Sequence, residues 1–331
     1  MIITRTPYRV SFFGGGTDYP KWYREHGGAV LATTINKYCY ITCRRLPPFF
    51  EHKHRIVYSL IESVSRIEDI QHPAVRATLQ WAKVTEGLEI HHDGDLPARS
   101  GLGSSSSFTV GLVHALHALR GTMTRKSQLA NTAIYIEQDL LRECVGSQDQ
   151  ILAAYGGLNY VRFSPDGTFD IAPVIAPQGR KWELSAHLML CFTGFVRHAS
   201  EVAKSQVDNM SCNSRQLKRI GRMVEDGLEI FANSSVPIES FGALLHEAWQ
   251  AKRSLSNLVT TPEIDEIYEA ARSAGAIGGK LLGAGGGGFM LLFAKPEHHG
   301  KIRERLGRLI HVPFEFEDSG SRVVLYEPNG L

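Results

Sequence analysis

One stretch of this sequence gathers glycine and serine where a chain would need both to hold an anion: Pro97-Ala98-Arg99-Ser100-Gly101-Leu102-Gly103-Ser104-Ser105-Ser106-Ser107. Glycines let backbone amides turn toward a ligand and approach it closely. Val110, Val113, Leu116 and Leu119 follow at helical spacing, and Gly121 ends the run. The loop therefore feeds a helix N-terminus, with its unpaired N–H groups and the positive end of its dipole. Serine hydroxyls there can donate to phosphate or ligate Mg²⁺. The bland alternative is a solvated loop whose serines cap the helix. No Gly-Lys-Ser/Thr follows at P-loop spacing, so this is not a Walker A pattern.

Three other constellations could carry chemistry. Lys280-Leu281-Leu282-Gly283-Ala284-Gly285-Gly286-Gly287-Gly288 contains a literal G-x-G-x-x-G. A dinucleotide fingerprint needs a strand before and a helix after, whereas a strand, Phe289–Ala294, follows here. A turn where backbones pack closely fits equally. Near the start, Pro7-Tyr8-Arg9 leads to Gly14-Gly15-Gly16-Thr17-Asp18. Asp18 there could accept hydrogen bonds from sugar hydroxyls or simply stabilise the turn. Glu137 and Asp149 stand twelve apart with Gly146 between them. Such a pair could divide into a Mg²⁺ ligand and a base, or be two surface acids.

The elements that must position these groups follow from pattern. Strands fit 2–13, 29–44, 88–92, 187–193, 289–294 and 322–326, with short strand signals at 54–68 and again up to 177. Helices fit 73–84, the run after the serines, 127–143, a start near Ser147, 200–232, 238–256, 262–274 and 297–310. Thr261-Pro262 opens one of them as a cap followed by proline. Strands and helices mix without regular βαβ alternation, which predicts an α+β fold. At 331 residues the chain has room for two cores, and Pro177-Gln178-Gly179 suggests a boundary near 180, giving 1–180 and 181–331.

Composition limits the function classes. With 43% hydrophobic and 21% charged residues the chain reads as globular, and 32 glycines, many clustered, suggest tight turns. A net charge of +2 gives no global field for nucleic acid or a membrane surface. No apolar run approaches a membrane span, and no signal peptide is visible. Five loosely spaced cysteines, at 39, 43, 144, 191 and 212, predict reduced thiols rather than a zinc site or a disulfide framework. A cytoplasmic location is the resulting expectation.

In this order the pieces resemble the GHMP kinases, named for galactokinase, homoserine kinase, mevalonate kinase and phosphomevalonate kinase. The family motif P-x-x-x-G-L-G-S-S is matched by Pro97–Ser105, and the C-terminal glycine motif looks like Lys280–Gly288. The galactokinase spacing of an arginine nine residues before an aspartate is matched by Arg9 and Asp18, and its Glu-to-Asp spacing by Glu137 and Asp149.

The resemblance implies a domain like the second domain of ribosomal protein S5, followed by a ferredoxin-like domain, with ATP and Mg²⁺ between them. By it, Pro97, Ser100, Gly101, Leu102, Gly103, Ser104, Ser105, Ser106 and Ser107 wrap the ATP phosphates. Ser105 and Glu137 hold Mg²⁺, Asp149 is the base, and Arg9 beside it steadies transferred charge. Gly15, Gly16, Thr17, Asp18, Thr193, Gly194, Arg197, Gly285 and Gly286 line the substrate.

Galactokinases carry Gly-Glu-His before Thr-Asp, and this chain has Gly14-Gly15-Gly16 instead. The triple glycine, Gly146–Gln150, Thr193-Gly194 with Arg197, and Gly278-Gly279-Lys280 look most like the bacterial D-glycero-D-manno-heptose 7-phosphate kinases. The expected partner is then a small-molecule sugar or sugar phosphate, without nucleic acid or membrane, and a homodimer stays open. Arg197 is the first candidate for a 7-phosphate. Lys53, Arg55, Arg44 and Arg45 rank behind it, and the run His52–Arg55 reads better as a solvated loop. The competing readings are a fucokinase- or galactokinase-like enzyme, a non-catalytic sugar- or ATP-binding protein, and a dinucleotide oxidoreductase.

Overall fold

Two long β-rich segments near the N-terminus form the spine of the molecule. The computed structural model describes residues 1–194 and 199–329. β1 (Ile2–Phe13) and β2 (Gly28–Arg45) run antiparallel along nearly their whole length. Their register slips at two places. One is Pro7/Tyr8, where proline has no N–H for the ladder. The other is Ser11/Phe13, which leaves Phe12 outside the register.

β3 (His54–Val57), β4 (Ile61–Val64) and β5 (Leu88–Gly94) extend the sheet on the far side of β2, and β6 (Asn159–Phe163) and β7 (Phe169–Pro173) pair from its other end. A second sheet holds β8 (Leu188–Phe192), β9 (Ala276–Leu281), β10 (Phe289–Ala294) and β11 (Ile310–His311), in the order β11-β8-β10-β9. The last strands, β12 (Phe316–Glu317) and β13 (Arg322–Tyr326), return to the first sheet, pairing with β2 and β1. The chain after 180 is thus not confined to the second sheet. Its tail completes the first, an exchange that local pattern cannot announce.

Helices cover both sheets: α1 (Pro20–His26), α2 (Pro73–Trp81), α3 (Ser104–Leu119), α4 (Lys126–Ile134), α5 (Gln148–Tyr155), α6 (Arg180–His187), α7 (Ala199–Asp208), α8 (Ser214–Ala232), α9 (Glu239–Arg253), α10 (Pro262–Ser273) and α11 (His299–Arg305). The architecture is the expected α+β one. Two expected helices are interrupted. The run 127–143 becomes α4 followed by a π-helical turn at Tyr135–Leu140, and 200–232 divides into α7 and α8. Expected helix 297–310 shortens to α11, and Ile310–His311 becomes β11.

α3 is apolar almost all round because it is buried almost all round. Leu112, Ala115, Leu116 and Leu119 join the core against the sheet, while Val110 and Val113 join the smaller core with α4 and α5. Each fully buried Leu or Val is worth about 1.5–3 kcal/mol, so the helix is fixed from both sides. Gly111 permits the close approach: the Thr4 hydroxyl donates to its carbonyl at 2.9 Å, and a Cβ there would meet Thr6 Oγ1 at 3.0 Å. The N-terminus of α3 is therefore held rigidly.

All five cysteines are free, with Cys39, Cys43 and Cys191 buried. No described helix is long and apolar enough to cross a membrane.

Candidate active site

The serine run does not cap its own helix. The N-cap of α3 is Gly103, left-handed at φ 76°, and no side chain bonds the first-turn amides. Gly101 is also left-handed, at φ 87°, as is Arg99 at φ 58°. A loop wound this way with an uncapped helix start matches an anion cradle better than a solvated cap. Ser100 and Ser107 face inward. Ser100 donates to the Pro97 carbonyl at 2.6 Å and Ser107 to the Pro7 carbonyl at 2.9 Å. Ser104 accepts from the Arg99 amide at 3.0 Å, and Ser105 is exposed at the mouth. Leu102 is fully buried beneath the loop.

The cradle rests on β1 and on the second glycine cluster. The Arg9 amide donates to the Leu102 carbonyl at 3.0 Å, and Arg9 Nη1 to the Gly101 carbonyl at 2.6 Å. From the other side Phe289 N–H donates to the Ser100 carbonyl at 3.1 Å. A Cβ on Gly283 would sit 2.5 Å from Gly101 Cα, and one on Gly288 would sit 2.2 Å from the Ser100 carbonyl oxygen. The two glycine motifs, far apart in sequence, thus interlock backbone against backbone. That contact, and the strand following Gly288, exclude the dinucleotide reading of the cluster.

Arg9 and Asp149 are brought together as expected. Arg9 Nε donates to Oδ1 at 2.7 Å and Nη2 to Oδ2 at 2.8 Å, a fork that fixes the carboxylate in two directions. Asp149 stands in the first turn of α5 and keeps part of its surface exposed, while Arg9 is buried. A Cβ on Gly103 would lie 3.3 Å from Asp149 Oδ2, so the acid sits against the floor of the cradle.

Glu137 is also here, and the serine that bonds it directly is Ser106. Ser106, not Ser105, donates to Glu137 Oε2, at 2.9 Å, and Gln150 Nε2 donates to the same oxygen at 2.5 Å. Ser105 occupies the exposed face of the first turn, one residue round from the buried Ser106. Glu137 is completely buried, and burial pushes its carboxyl up to about 7 despite the hydrogen bonds that oppose the shift. Its other oxygen, Oε1, makes no hydrogen bond of ordinary geometry, although the Thr109 hydroxyl lies close enough to the carboxylate to favour its ionised form, and Gln150 Oε1 has no partner. A buried carboxylate oxygen left open beside a hydroxyl fits a hard divalent cation.

The substrate-side residues divide. Gly15 is the one partly exposed member of the triple glycine. Thr17 and Asp18 are turned inward. Thr17 bonds the carbonyls of Gly14 and Ala29 at 2.8 and 2.9 Å. Asp18 accepts from the Gly16 amide and from Gln148 Nε2, both at 2.9 Å, and burial raises its carboxyl above the ordinary range. A Cβ on Gly146 would strike Asp18 Oδ2 at 1.9 Å, so Gly146 lids this carboxylate. Thr193 spends its amide and hydroxyl on the Gly288 carbonyl, at 2.9 and 2.8 Å. Gly286 N–H goes to Val259, and Gly285 backs onto the same residue. Gly194 is exposed at φ 81°. Arg197 lies outside the described residues. Of the weaker cation candidates, Arg44 and Arg55 are bound up with Glu89 on β5, on the other side of β2 from Arg9, and Arg45 donates to the Pro328 and Leu119 carbonyls. Lys53 lies beside Gly87 near that sheet edge.

Two buried lysines adjoin the site: Lys280, already the first residue of the second glycine motif, and Lys252, which no motif included. Lys280 Nζ donates to the Phe12 carbonyl at 2.9 Å, the group freed by the second register slip of β1. Lys252 Nζ donates to the carbonyls of Leu281, at 3.0 Å, and Gly283. Burial lowers Lys280 to about 7, with Arg9 adding to the effect, and holds Lys252 well below the ordinary lysine range. Lys280 stands directly before the glycine cluster, the signal that flags it. Lys252, in the last turn of α9, offered none.

Two comparisons by sequence bear on this arrangement. Residues 67–157 match the model of the GHMP kinases N terminal domain, and residues 237–310 that of the GHMP kinases C terminal domain. A D-glycero-alpha-D-manno-heptose 7-phosphate kinase of Campylobacter jejuni is 28% identical over 307 residues, covering 89% of this chain and 90% of that protein. A bifunctional fucokinase/GDP-fucose pyrophosphorylase of Arabidopsis thaliana is 27% identical over 91% of this chain, which spans only 30% of that longer protein. Among solved structures, one described as a D-glycero-D-manno-heptose 1-phosphate kinase from Bacteroides thetaiotaomicron superposes with a TM-score of 0.79 at 22% identity, covering 98% of both chains. The cradle lies within the first matched segment and the interlocking glycine cluster within the second, in the order the family requires, and the chain belongs to the GHMP kinases.

Proposed function

We propose that this GHMP-family sugar kinase transfers the γ-phosphoryl group of ATP to the anomeric C1 hydroxyl of D-glycero-D-manno-heptose 7-phosphate. The product is the 1,7-bisphosphate, on the way to GDP-heptose and surface glycans. The observation that carries the reading is the Arg9–Asp149 fork lying against the floor of an uncapped, glycine-wound helix start. The Campylobacter relative, aligned over 89% of the chain, supplies the choice of sugar.

In this mechanism the sugar hydroxyl oxygen attacks the γ-phosphorus in line, the bond from that phosphorus to the β–γ bridging oxygen breaks, and ADP departs. The hydroxyl proton passes to an Asp149 oxygen. Each oxygen engaged by Arg9 keeps a second lone-pair site, so the fork does not block this role. Amides of α3 and the charge of Arg9 stabilise the equatorial phosphoryl oxygens. Glu137 and Ser106 would hold Mg²⁺, which when bound neutralises phosphate charge. Gln150 and Ser106 keep the Glu137 carboxylate aimed at that position.

The fucokinase relative favours a second reading, phosphorylation of an unphosphorylated sugar on the same machinery. Incubation with Mg-ATP and D-glycero-D-manno-heptose 7-phosphate, L-fucose, D-galactose and D-mannose, followed by ADP release and ³¹P NMR of the product, separates the two. The heptose phosphate should give the highest kcat/KM, with a new anomeric phosphate signal. Better turnover of a plain sugar would replace the first reading with the second. ADP release with none of them would overturn both.

A further inference from the structure

Two buried side chains beside Gly15 each carry a polar atom without a partner. Ser11 Oγ, on β1, and Gln148 Oε1, at the start of α5, each lack a hydrogen bond. Ser11 is 6% exposed and Gln148 9%. Buried polar atoms are rarely left unsatisfied, so a pair on neighbouring side chains calls for an explanation. Both side chains border Gly15: a Cβ built there would be 3.9 Å from Ser11 Oγ and 3.9 Å from Gln148 Nε2, the amide nitrogen that neighbours the free oxygen. Nothing else comes within 4 Å of that point, and Gly15 is the opening in the triple glycine.

The orientation of Gln148 is fixed by Asp18. The carboxylate Oδ2 accepts from Nε2 at 2.9 Å, which requires the amide nitrogen on that side and leaves the amide oxygen facing away. Asp18 is itself anchored by the Gly16 amide and pressed under Gly146. Gln148 thus keeps one free acceptor and Ser11 one free donor–acceptor in the surroundings of Gly15. Gln148 is the chain neighbour of Asp149, so these surroundings adjoin the group that would take the proton.

We propose that Ser11 and Gln148 form a hydroxyl subsite that reads the hydroxyl beside the one phosphorylated. This deepens, and rests on, the sugar-kinase reading above. An anomeric carbon has one hydroxyl-bearing neighbour, C2, so the group read is the C2 hydroxyl. That hydroxyl donates to Gln148 Oε1 and exchanges a hydrogen bond with Ser11 Oγ. Both orphan atoms are satisfied only when it is present. The triple glycine then has a purpose: a side chain at position 15 would occupy that space. Asp18 acts as the positioning residue that keeps the glutamine amide in one orientation.

The test compares D-glycero-D-manno-heptose 7-phosphate with its 2-deoxy analogue on wild type, Ser11→Ala and Gln148→Met. A site built to bond a hydroxyl rejects the analogue lacking it, here by roughly 30-fold or more in kcat/KM. In each variant that ratio should fall to about 5-fold or less, with KM for ATP within about twofold of wild type. Ser11→Ala removes one atom and keeps the packing, so it reports even if Gln148→Met folds poorly. Variants that lose activity equally on both sugars, or a wild type indifferent to the C2 hydroxyl, would overturn the subsite while leaving the kinase intact. Absence of turnover with every sugar would remove the kinase reading as well.

Discussion

Arg9 joins Asp149 to the phosphate cradle: its Nε and Nη2 hold the two carboxylate oxygens at 2.7 and 2.8 Å, and its Nη1 holds the Gly101 carbonyl at 2.6 Å. One guanidinium thus sets the distance between the proposed proton acceptor and the loop that would hold the group being transferred. Lysine could not replace it, because an ammonium lacks the planar fork that reaches three acceptors in fixed directions.

Asp149→Asn keeps the shape of the pair and removes the proton acceptor. It should lower kcat by ~10²-fold or more while KM for ATP changes little. An anomeric hydroxyl is more acidic than an ordinary alcohol, so the loss should be smaller with such a substrate than with a primary alcohol. Steady-state kinetics decide the matter: near-normal turnover in the asparagine variant would leave Asp149 as a positioning group only.

Glu137 gives a pH signature. Burial holds its carboxyl up near 7, and a cation needs it ionised, so below that pH protons compete with the metal. The Mg²⁺ concentration for half-maximal activity should therefore rise as pH falls from 8 to 6, at most ~10-fold per pH unit for one proton. Glu137→Gln should bind Mg²⁺ weakly and show a flatter dependence. Its residual slope reports protonation of the nucleotide itself. Equal slopes in the two proteins would remove Glu137 from the metal site.

Much of this site was legible because glycine and charge are forced choices. A left-handed turn at Gly101 and Gly103, or backbones touching at Gly283, admits almost nothing else, so the motifs survive in the sequence as glycines. Arg9 and Asp149 are legible by order and spacing. What was not legible depends on facing. The sequence offers four consecutive serines, and only helix phase decides that Ser106 rather than Ser105 meets Glu137. Thr17, Asp18 and Thr193 sit beside the right glycines yet spend their polar atoms on the backbone or on Gln148. Lys252 becomes part of the site only through the packing of α9 on the second sheet. The return of β12 and β13 to the first sheet depends on long-range pairing, which no local pattern encodes.

Lys280 carries the last prediction, one of stability. It faces the Phe12 carbonyl and Arg9 from β1, Asp18 from the turn beyond β1, and Lys252 from α9. Burial lowers it from 10.5 to about 7. Between those values the unfolded chain holds a proton that the folded lysine does not, so this group makes stability rise with pH across the window. The slope is at most about 1.4 kcal/mol per pH unit and vanishes below about 7, where both forms are charged. Lys280→Met loses the bond to Phe12 at every pH but never bears the cost of a buried charge. The wild-type Tm minus that of the variant should therefore increase steadily from pH 7 to pH 9.5. A difference that stays constant over that range would mean that Lys280 remains protonated in the fold, with Asp18 as its effective counter-charge.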